Sequence, residues 1–410
     1  MYPDLSYLFH DLLGTAYDNW LSVFKMFGFV LAISFVVSAV VFYIELRRKQ
    51  REGMFVPEET EETEGAPASW KEIAMNALVG LIFAGKGAYI AQHPDDFRYD
   101  PASIILSGKM HWPAALLGAL VLGAFTWWDA WRKRKPQPEI RKKKVWPADQ
   151  IAEMTMWAAV GGILGAKLFD VFDTLATREG REAFMANPLA SLLSGGGLAF
   201  YGGLILGAAL VIRYMVQKKI PLLPAIDACA PALVGGYGVG RIGCQLSGDG
   251  DWGKVNPAPK PDWLSWLPDW AWSFRYPHTV LGDAWEHKSP QLALDVQNNI
   301  ILTRMNDFQG RYAFQLEQAV WPTPFYETMM MIVVFGILWA VRKRIKTPGL
   351  LFCLYIALIA VERFFIEFIR VNPLYKVLGA ELSQAQIISL LLLTSSGLGA
   401  WWLTKQKAAA

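Results

Sequence analysis

The chain consists of long apolar stretches separated by short polar loops. Nine stretches are long enough to cross about 30 Å of hydrocarbon as helices of roughly 20 residues. The predicted spans are Met26–Ile44, Ile73–Ile90, Trp112–Trp131, Ile151–Phe172, Leu198–Met215, Ile226–Ile242, Phe325–Val341, Gly349–Phe368 and Ile387–Leu403. This pattern predicts an all-α, polytopic integral membrane protein.

Basic residues occur in every second predicted loop. They collect in RRKQR (47–51), RKRK (132–135) with RKKK (141–144), QKK (217–219), RKRIK (342–346) and KQK (405–407). Because Lys and Arg favour the cytoplasmic side of short loops, all spans fit one orientation, with the N-terminus outside and the C-terminus inside. The acidic run EETEETE (58–64) falls in a cytoplasmic loop and is interpreted as a solvated linker.

Composition supports the membrane interpretation. Apolar residues make up 53% of the 410-residue chain and charged residues 18%, whereas soluble domains carry about 25% charged residues. The 18 Trp and 23 Phe suit aromatic belts at two membrane interfaces. Three cysteines beside apolar runs predict neither a disulfide framework nor a zinc site. The first 19 residues contain three Asp and no Lys or Arg, so no signal peptide is predicted there.

Two longer patterns concern the organisation of the chain. The segment from Ser247 to Pro322, predicted to lie outside, is rich in Trp and Pro and is expected to form a small head at the membrane interface. Residues 77–90 and 103–119 resemble residues 158–171 and 191–208, which indicates a possible duplicated hairpin. The alternative is chance similarity, since Gly and Ala line helix contacts in membranes.

The eighth predicted span contains charged residues, which are costly in a membrane and need a partner or a task. Arg363, Glu367 and Arg370 fall at i, i+4 and i+7, on one stripe of a helix. Two cations and one carboxylate give this face a net positive charge near the outer surface. The stripe predicts a site for a phosphate headgroup; the alternative is an ion-pair network that only fixes helix packing.

A glycine-rich segment surrounds one arginine at the outer end of the sixth span. In GGYGVGRIGCQLSGDGDWG (235–253), Arg241 has Asp249 and Asp251 as possible partners. Glycines allow close backbone approach and turns whose N–H groups bind an anion. The segment is therefore interpreted as an anion cradle.

Two further segments are less specific when taken alone. SGGGLAFYGGLILG (194–207) enters the fifth span with Tyr201 among small residues, where Tyr is often an interface anchor. PTPFYE (322–327) begins the seventh span with Tyr326 and Glu327, and a first-turn Glu is commonly only a favourable helix-end charge.

Together these segments resemble the bacterial prolipoprotein diacylglyceryl transferases. GRIGCQLSGDGDWG resembles the family's glycine–arginine signature, PTPFYE its Pro–x–x–x–Tyr–Glu segment, and RFFIEFIR its Arg–x–x–x–Glu–x–x–Arg helix. FYGG (200–203) resembles its His–Gly–Gly turn, and IDACAPAL, with Asp227, also fits. The motifs occur in family order over residues 161–373, about half of the chain.

The resemblance implies an activity, a location and a set of residues. Members are helical inner-membrane enzymes that transfer the diacylglyceryl group of phosphatidylglycerol to the lipobox cysteine of a prolipoprotein and release glycerol phosphate. This is the first step of bacterial lipoprotein maturation. The implied partners are membrane lipid and prolipoprotein signal peptides, with no nucleic acid, cofactor or metal. The implied catalytic residues are Arg241, Arg363, Tyr201 and Glu367. The implied donor-binding residues are Arg241, Arg363, Arg370, Gly202, Gly203, Asp249, Gly253, Tyr326 and Glu327.

The resemblance also implies two segments. Residues 1–150 hold the first span, an inserted transmembrane hairpin and a basic cytoplasmic loop. Residues 151–410 hold the catalytic transmembrane core, with its periplasmic segment at 247–322.

The sequence departs from the family pattern at three positions. Tyr201 stands where the family often has a His proposed as the base, Cys244 where it has Asn, and Ile359 where it often has Tyr. Because the ordinary pKa of Tyr is near 10, the base is left open, with His111 of the inserted hairpin as one alternative. A paralogue that binds lipid without catalysis is one rival function. A transporter is the other, although the charges cluster near one surface.

Overall fold

The computed structural model describes residues 1–64, 66–99, 101–136, 139–188, 200–282, 302–377 and 379–409. It is mainly helical, with three two-stranded antiparallel sheets in the described part. The predicted all-α membrane class is confirmed. Contacts divide the chain into two compact units, one of Met1–Met54 with Pro221–Ala410 and one of Phe55–Ile220. The division at residue 150, which was based on the resemblance, stays a prediction.

Seven helices in the described part of the chain are long and apolar enough to cross a membrane. They are Met26–Arg51, Trp70–Gln92, Trp112–Arg132, Pro147–Ala176, Leu222–Ser247, Thr323–Val341 and Gln384–Lys405. Each coincides with one of the nine predicted spans. The fifth and eighth predicted spans correspond to the shorter helices Phe200–Gln217 and Leu350–Ile366. Residues 198 and 199, where the fifth span was predicted to begin, lie outside the described ranges.

The first unit is built around the helix Leu222–Ser247. Its other helices are Leu5–Leu13, Met26–Arg51, Thr323–Val341, Leu350–Ile366 and Gln384–Ala409. Leu222–Ser247 packs against Met26–Arg51 on one side and against Thr323–Val341 on another, while Leu350–Ile366 packs against Gln384–Ala409. The central apolar cluster consists of Ala230, Val234, Met331, Val334, Leu338 and Leu351.

Glycines allow the helices of the first unit to approach closely. A Cβ on Gly236 would collide with the hydroxyl of Ser38, and a Cβ on Gly238 would lie 2.9 Å from the Cβ of Met331. These glycines lie inside a continuous helix, so their N–H groups belong to the helical ladder. The anion cradle predicted over residues 235–253 is therefore wrong for the helical part up to Ser247, where helix packing explains the small residues, and it stays a prediction for residues 248–253.

The segment between Leu222–Ser247 and Thr323–Val341 forms a small packed head in its described part. The head contains the strands Leu302–Arg304 and Phe314–Leu316 and a buried cluster that includes Trp252 and Tyr276. Trp263 and Trp266 are exposed on a turn at its surface. The rest of the segment, residues 283–301, lies outside the described ranges. Its position at the membrane interface stays a prediction. A second hairpin, Leu374–Val377 with Ala380–Ser383, precedes the last helix.

The second unit contains two helical hairpins. Trp70–Gln92 packs against Trp112–Arg132, and Ile151–Ala176 packs against Phe200–Gln217. A Cβ on Gly80 would collide with the carbonyl of Gly118, and one on Gly161 would lie 2.8 Å from the Cα of Gly207. These glycines occupy matching places in the repeated sequences, as the proposed duplication predicts. The short helices of this unit are Pro94–Tyr99, Pro101–Leu106 and Arg178–Ala186.

The acidic run is a strand and not the solvated linker predicted from its composition. Glu58–Glu64 pairs antiparallel with Glu139–Val145, and the register places Glu59 opposite Lys144 and Glu61 opposite Lys142. Opposite charges across a strand pair stabilise it, and a charged run read alone gives no sign of its partner. The pairing also requires these two loops to lie on the same side of the membrane, as the alternation of basic loops predicted.

Candidate active site

Arg241 lies near the end of the helix Leu222–Ser247 and is almost fully enclosed. Its side chain is 12% exposed, and its guanidinium forms ion pairs with Asp251 and Glu327. One turn earlier, the hydroxyl of Tyr237 accepts from Nε at 3.3 Å. The final turns of the helix therefore hold a cation that two carboxylates from other parts of the first unit fix in place.

Glu327 is the carboxylate shared by all three arginines of the site. The helix Thr323–Val341 begins with Pro324 in its first turn, where a missing N–H costs nothing. Glu327 is fully buried and pairs with Arg241, with Arg370 at 3.0 Å and with Arg363 at 3.4 Å. The simple interpretation, a surface charge in the first turn of a helix, is wrong because Glu327 is the fifth residue of the helix and is buried among three arginines.

Asp251 connects two arginines after the chain leaves the helix. Gly248 ends Leu222–Ser247 with φ 63°, and Gly250 follows with φ 102°, two conformations that favour glycine. The chain turns back, so that Asp251 pairs with Arg241 and, at 2.7 Å, with Arg370. Burial alone would raise the pKa of Asp251, but the two arginines lower it to about 2.

Asp249, the other predicted partner, makes no ion pair with Arg241 in the described structure. One of its oxygens accepts instead from the N–H of Asp251 at 3.3 Å. Burial, followed by repulsion from Asp251, raises the pKa of the Asp249 carboxyl. Its predicted role in donor binding stays a prediction.

The predicted stripe of Arg363, Glu367 and Arg370 does not lie on one helix. Leu350–Ile366 ends before Glu367, and Arg370 forms an antiparallel bridge with Gly253. Arg363 contacts Glu367 at 3.3 Å and is 27% exposed, whereas Arg370 is 11% exposed. The bridge directs Arg370 inward, where it pairs with the carboxylates of Asp251 and Glu327.

Gly253 permits that bridge. A Cβ there would lie 2.5 Å from the carbonyl oxygen of Ile369 and 2.9 Å from the Cβ of Trp321. The N–H of Gly253 donates to the carbonyl of Trp321 at 2.9 Å. The glycine therefore allows three backbone segments to meet, and this contact places Arg370 beside Asp251.

The cluster as a whole does not carry the positive excess predicted from the stripe. Within the described residues, the guanidiniums of Arg241, Arg363 and Arg370 pair with the carboxylates of Asp251, Glu327 and Glu367. Three carboxylates balance three cations, because Asp251 and Glu327 come from distant segments. An anion that enters must compete with, or displace, one of these pairs.

The hydroxyl of Tyr326 bonds to the head and not to an arginine in the described structure, and the Tyr201 segment belongs to the second unit. The hydroxyl of Tyr326 donates to the carbonyl of Ala271 in the head at 2.8 Å. Residues 200–203 are helical and not a turn. A Cβ on Gly202 would collide with the carbonyl of Gly165, and one on Gly203 would lie 2.8 Å from that of Gly162. The close packing of the two helices explains why glycine occupies these positions. The role of Gly202 and Gly203 in donor binding stays a prediction.

His111, the alternative base, has a structural function in the second unit. Its Nδ1 accepts from the N–H of Ala114 at 3.2 Å and so caps the helix Trp112–Arg132. In the part of the chain that the structure describes, no group of three or more His, Cys, Asp or Glu side chains is arranged to hold a metal ion.

Two buried carboxylates, Asp227 and Glu362, were not assigned roles from the sequence. Asp227 accepts from the backbone N–H groups of Gly349 and Phe352, both at 2.9 Å, and pairs with Lys49 at 3.3 Å. It thereby fixes the start of the helix that carries Arg363. Glu362, next to Arg363, is 5% exposed within the membrane helix. In the sequence, its signal is a charged residue at an apolar position of the predicted eighth span.

Comparisons with known proteins agree with these motifs. A model of the family "Prolipoprotein diacylglyceryl transferase" matches residues 115–402. The phosphatidylglycerol–prolipoprotein diacylglyceryl transferase of Xylella fastidiosa (strain M12) is 28% identical over 319 residues, which is 74% of this chain and 92% of that protein. The protein of the same name from Paraburkholderia xenovorans is 25% identical over 321 residues, 75% of this chain and 94% of its own length. That of Clostridium botulinum is 27% identical over 243 residues, 59% and 76% of the two chains.

Proposed function

This chain belongs to the prolipoprotein diacylglyceryl transferase family, and we propose that it transfers the diacylglyceryl group of phosphatidylglycerol to a prolipoprotein. The acceptor is the thiol of the lipobox cysteine, and the product is a thioether. The observation that supports this function is the cluster of Arg241, Arg363 and Arg370 with Glu327, in which three family motifs converge.

The reaction needs fixed positive charge at the leaving group. The cysteine sulfur attacks the glyceryl carbon that carries the phosphate, and the C–O bond breaks with its electron pair going to glycerol phosphate. Cations that are already in position stabilise this developing charge without reorganisation. The planar guanidinium of Arg suits phosphate oxygens. Arg241 and Arg363 are assigned to the phosphate.

Arg363 is the arginine that an incoming phosphate engages first. It is the most exposed of the three, and its contacts with Glu327 and Glu367, at 3.4 and 3.3 Å, are long for ion pairs. Exchange of these weak contacts for phosphate oxygens costs less than exchange of the enclosed pairs around Arg370. Glu367 then orients Arg363, while Asp251 and Glu327 hold Arg241 and Arg370.

The remaining predicted residues have supporting roles in this proposal. Gly253 places Arg370, Tyr326 ties the head to the helix Thr323–Val341, and Asp249 lines the turn after Arg241. Tyr201, Gly202 and Gly203 are assigned to the donor through the family turn that they resemble.

The orientation follows from the basic loops. We place the protein in the bacterial inner membrane, with the N-terminus periplasmic and the C-terminus cytoplasmic. Reporter fusions after residues 60, 140 and 407 should read cytoplasmic, and one near residue 285 should read periplasmic. A periplasmic reading at 140 would contradict this orientation.

Conservative arginine variants test the assignment of the phosphate. Arg241→Lys and Arg363→Lys keep the charge but lose the bidentate fork, so transfer of labelled diacylglyceryl from phosphatidylglycerol vesicles to a lipobox peptide should fall strongly. Arg344→Lys, at an exposed position after the helix Thr323–Val341, is the matched control and should transfer normally. Near-normal transfer by Arg363→Ala would defeat the assignment.

A further inference from the structure

Glu362 is a buried carboxylate that has no partner among the described residues. It is 5% exposed, and neither of its oxygens has a hydrogen-bond partner within the described structure. No described ion pair includes it, whereas Glu327, Glu367 and Asp251 each pair with arginine. A carboxylate held unpaired in a membrane helix is costly, so a structural ion pair does not explain its position.

The surroundings of Glu362 place it at the arginine cluster. It interacts electrostatically with Glu327 of Thr323–Val341, with Arg241 and Arg370, and with its neighbour Arg363. Tyr237 of the helix Leu222–Ser247 also interacts with it. The packed helix Gln384–Ala409 has no titratable side chain before Lys405. Glu362 is therefore a free acceptor beside the groups assigned to the donor phosphate.

We propose that Glu362 is the proton acceptor for the attacking thiol, an inference that rests on the proposed function. A free cysteine thiol is only a few per cent ionised at pH 7, with an ordinary pKa near 8.5. In the step, the S–H bond breaks and the proton passes to a Glu362 oxygen. The sulfur bonds to the glyceryl carbon as the C–O bond to phosphate breaks, and the leaving phosphate takes the electron pair. Glu362 then returns its proton to the released glycerol phosphate.

This assignment supplies a base for a chain that lacks the histidine proposed as the base of the family. Tyr201 stands in place of the family's histidine, and His111 is occupied as a helix cap. Neither oxygen of Glu362 has a hydrogen-bond partner among the described residues, so both are available for a proton.

The test compares Glu362→Gln with wild type across pH. Purified full-length proteins are given phosphatidylglycerol vesicles and a synthetic lipobox peptide, and transfer is measured from pH 6.5 to 9.5. Loss of general-base assistance reduces the rate about 10²–10⁴-fold at pH 7. The deficit should shrink as the pH passes the thiol's own pKa, because the thiol then ionises without help. Glu381→Gln, at an exposed position on the strand Ala380–Ser383, should match wild type throughout.

A stability measurement separates this role from a structural one. Because Glu362 has no hydrogen-bond or ion-pair partner in the described part of the chain, Glu362→Gln should unfold at a temperature equal to or above that of wild type. A Gln variant within threefold of the wild-type rate at pH 7 would overturn the proposal, and so would a deficit that is the same at every pH. Absence of transfer by wild type itself would instead contradict the proposed function.

Discussion

Glu327→Gln is the substitution that tests the described cluster most sharply. Gln preserves the size of the side chain and one acceptor oxygen but removes the charge that Arg241, Arg363 and Arg370 share. Glu327 is fully buried, so water cannot replace the lost charge. Removal of one partner of a buried ion pair costs about 3–5 kcal/mol.

Part of this cost lowers the free energy of unfolding, and part lowers the rate of diacylglyceryl transfer. A domain is stable by about 5–15 kcal/mol, so the variant should still fold, with a clearly lowered unfolding temperature. If the displaced arginines cost the transition state about 3 kcal/mol, transfer falls roughly 100-fold. The assay measures thermal unfolding in detergent and, on the folded fraction, diacylglyceryl transfer to a lipobox peptide. Glu317→Gln, an exposed carboxyl in the head, is the control.

A double-mutant cycle tests whether the effect of Glu327→Gln comes from its contact with Arg370. Glu327 and Arg370 are 3.0 Å apart, and contacting residues of this kind couple by about 0.5–3 kcal/mol. Glu327→Gln should therefore be less harmful in an Arg370→Gln background. Additive effects of the two substitutions, or a Glu327→Gln variant with wild-type stability and rate, would show that Glu327 does not hold these arginines.

Three further substitutions test other contacts in the first unit. Asp227→Asn should lower the free energy of unfolding by roughly 3 kcal/mol, because it breaks the pair with Lys49 and weakens the cap at Gly349; chemical denaturation in micelles measures this, and an unchanged midpoint would contradict it. Gly253→Ala should reduce transfer and cost about 1–3 kcal/mol by overpacking, whereas Gly336→Ala, which meets nothing within 4 Å, should not; equal effects of the two would count against the bridge. Because the pKa of Asp251 is lowered to about 2, its stabilising contribution is complete above its unfolded pKa near 3.9 and is lost as the pH falls toward 2. The difference in unfolding temperature between wild type and Asp251→Asn should therefore shrink between pH 4 and 2, and a constant difference would exclude this ion pair as its cause.

The sequence predicted the elements of this site better than their connections. The apolar stretches located the helices because a helix that faces lipid must be apolar along its length. The same local signal did not show that Arg370 leaves the helix, because the cause is a backbone bridge to Gly253, more than 100 residues earlier. It also gave the wrong charge balance, since Asp251 and Glu327 reach the arginines only through the fold.

Two other predictions failed for the same reason, because the contacting residues lie far away in the sequence. The glycines before Arg241 looked like an anion cradle, but their neighbours Ser38 and Met331 come from other helices and make them packing residues. The run EETEETE looked like a solvated linker until its basic partner strand, some 80 residues later, was known. Glu362 was visible in the sequence, yet only its burial without a partner distinguishes it from an ordinary charge at a helix end.

The most direct measurement is the position of the donor phosphate in a density map of the purified protein with phosphatidylglycerol. We expect phosphate density within hydrogen-bond distance of Arg363 and Arg241, with the contacts of Arg363 to Glu327 and Glu367 lengthened or broken. A headgroup bound elsewhere, with all the arginine–carboxylate pairs intact, would contradict this expectation.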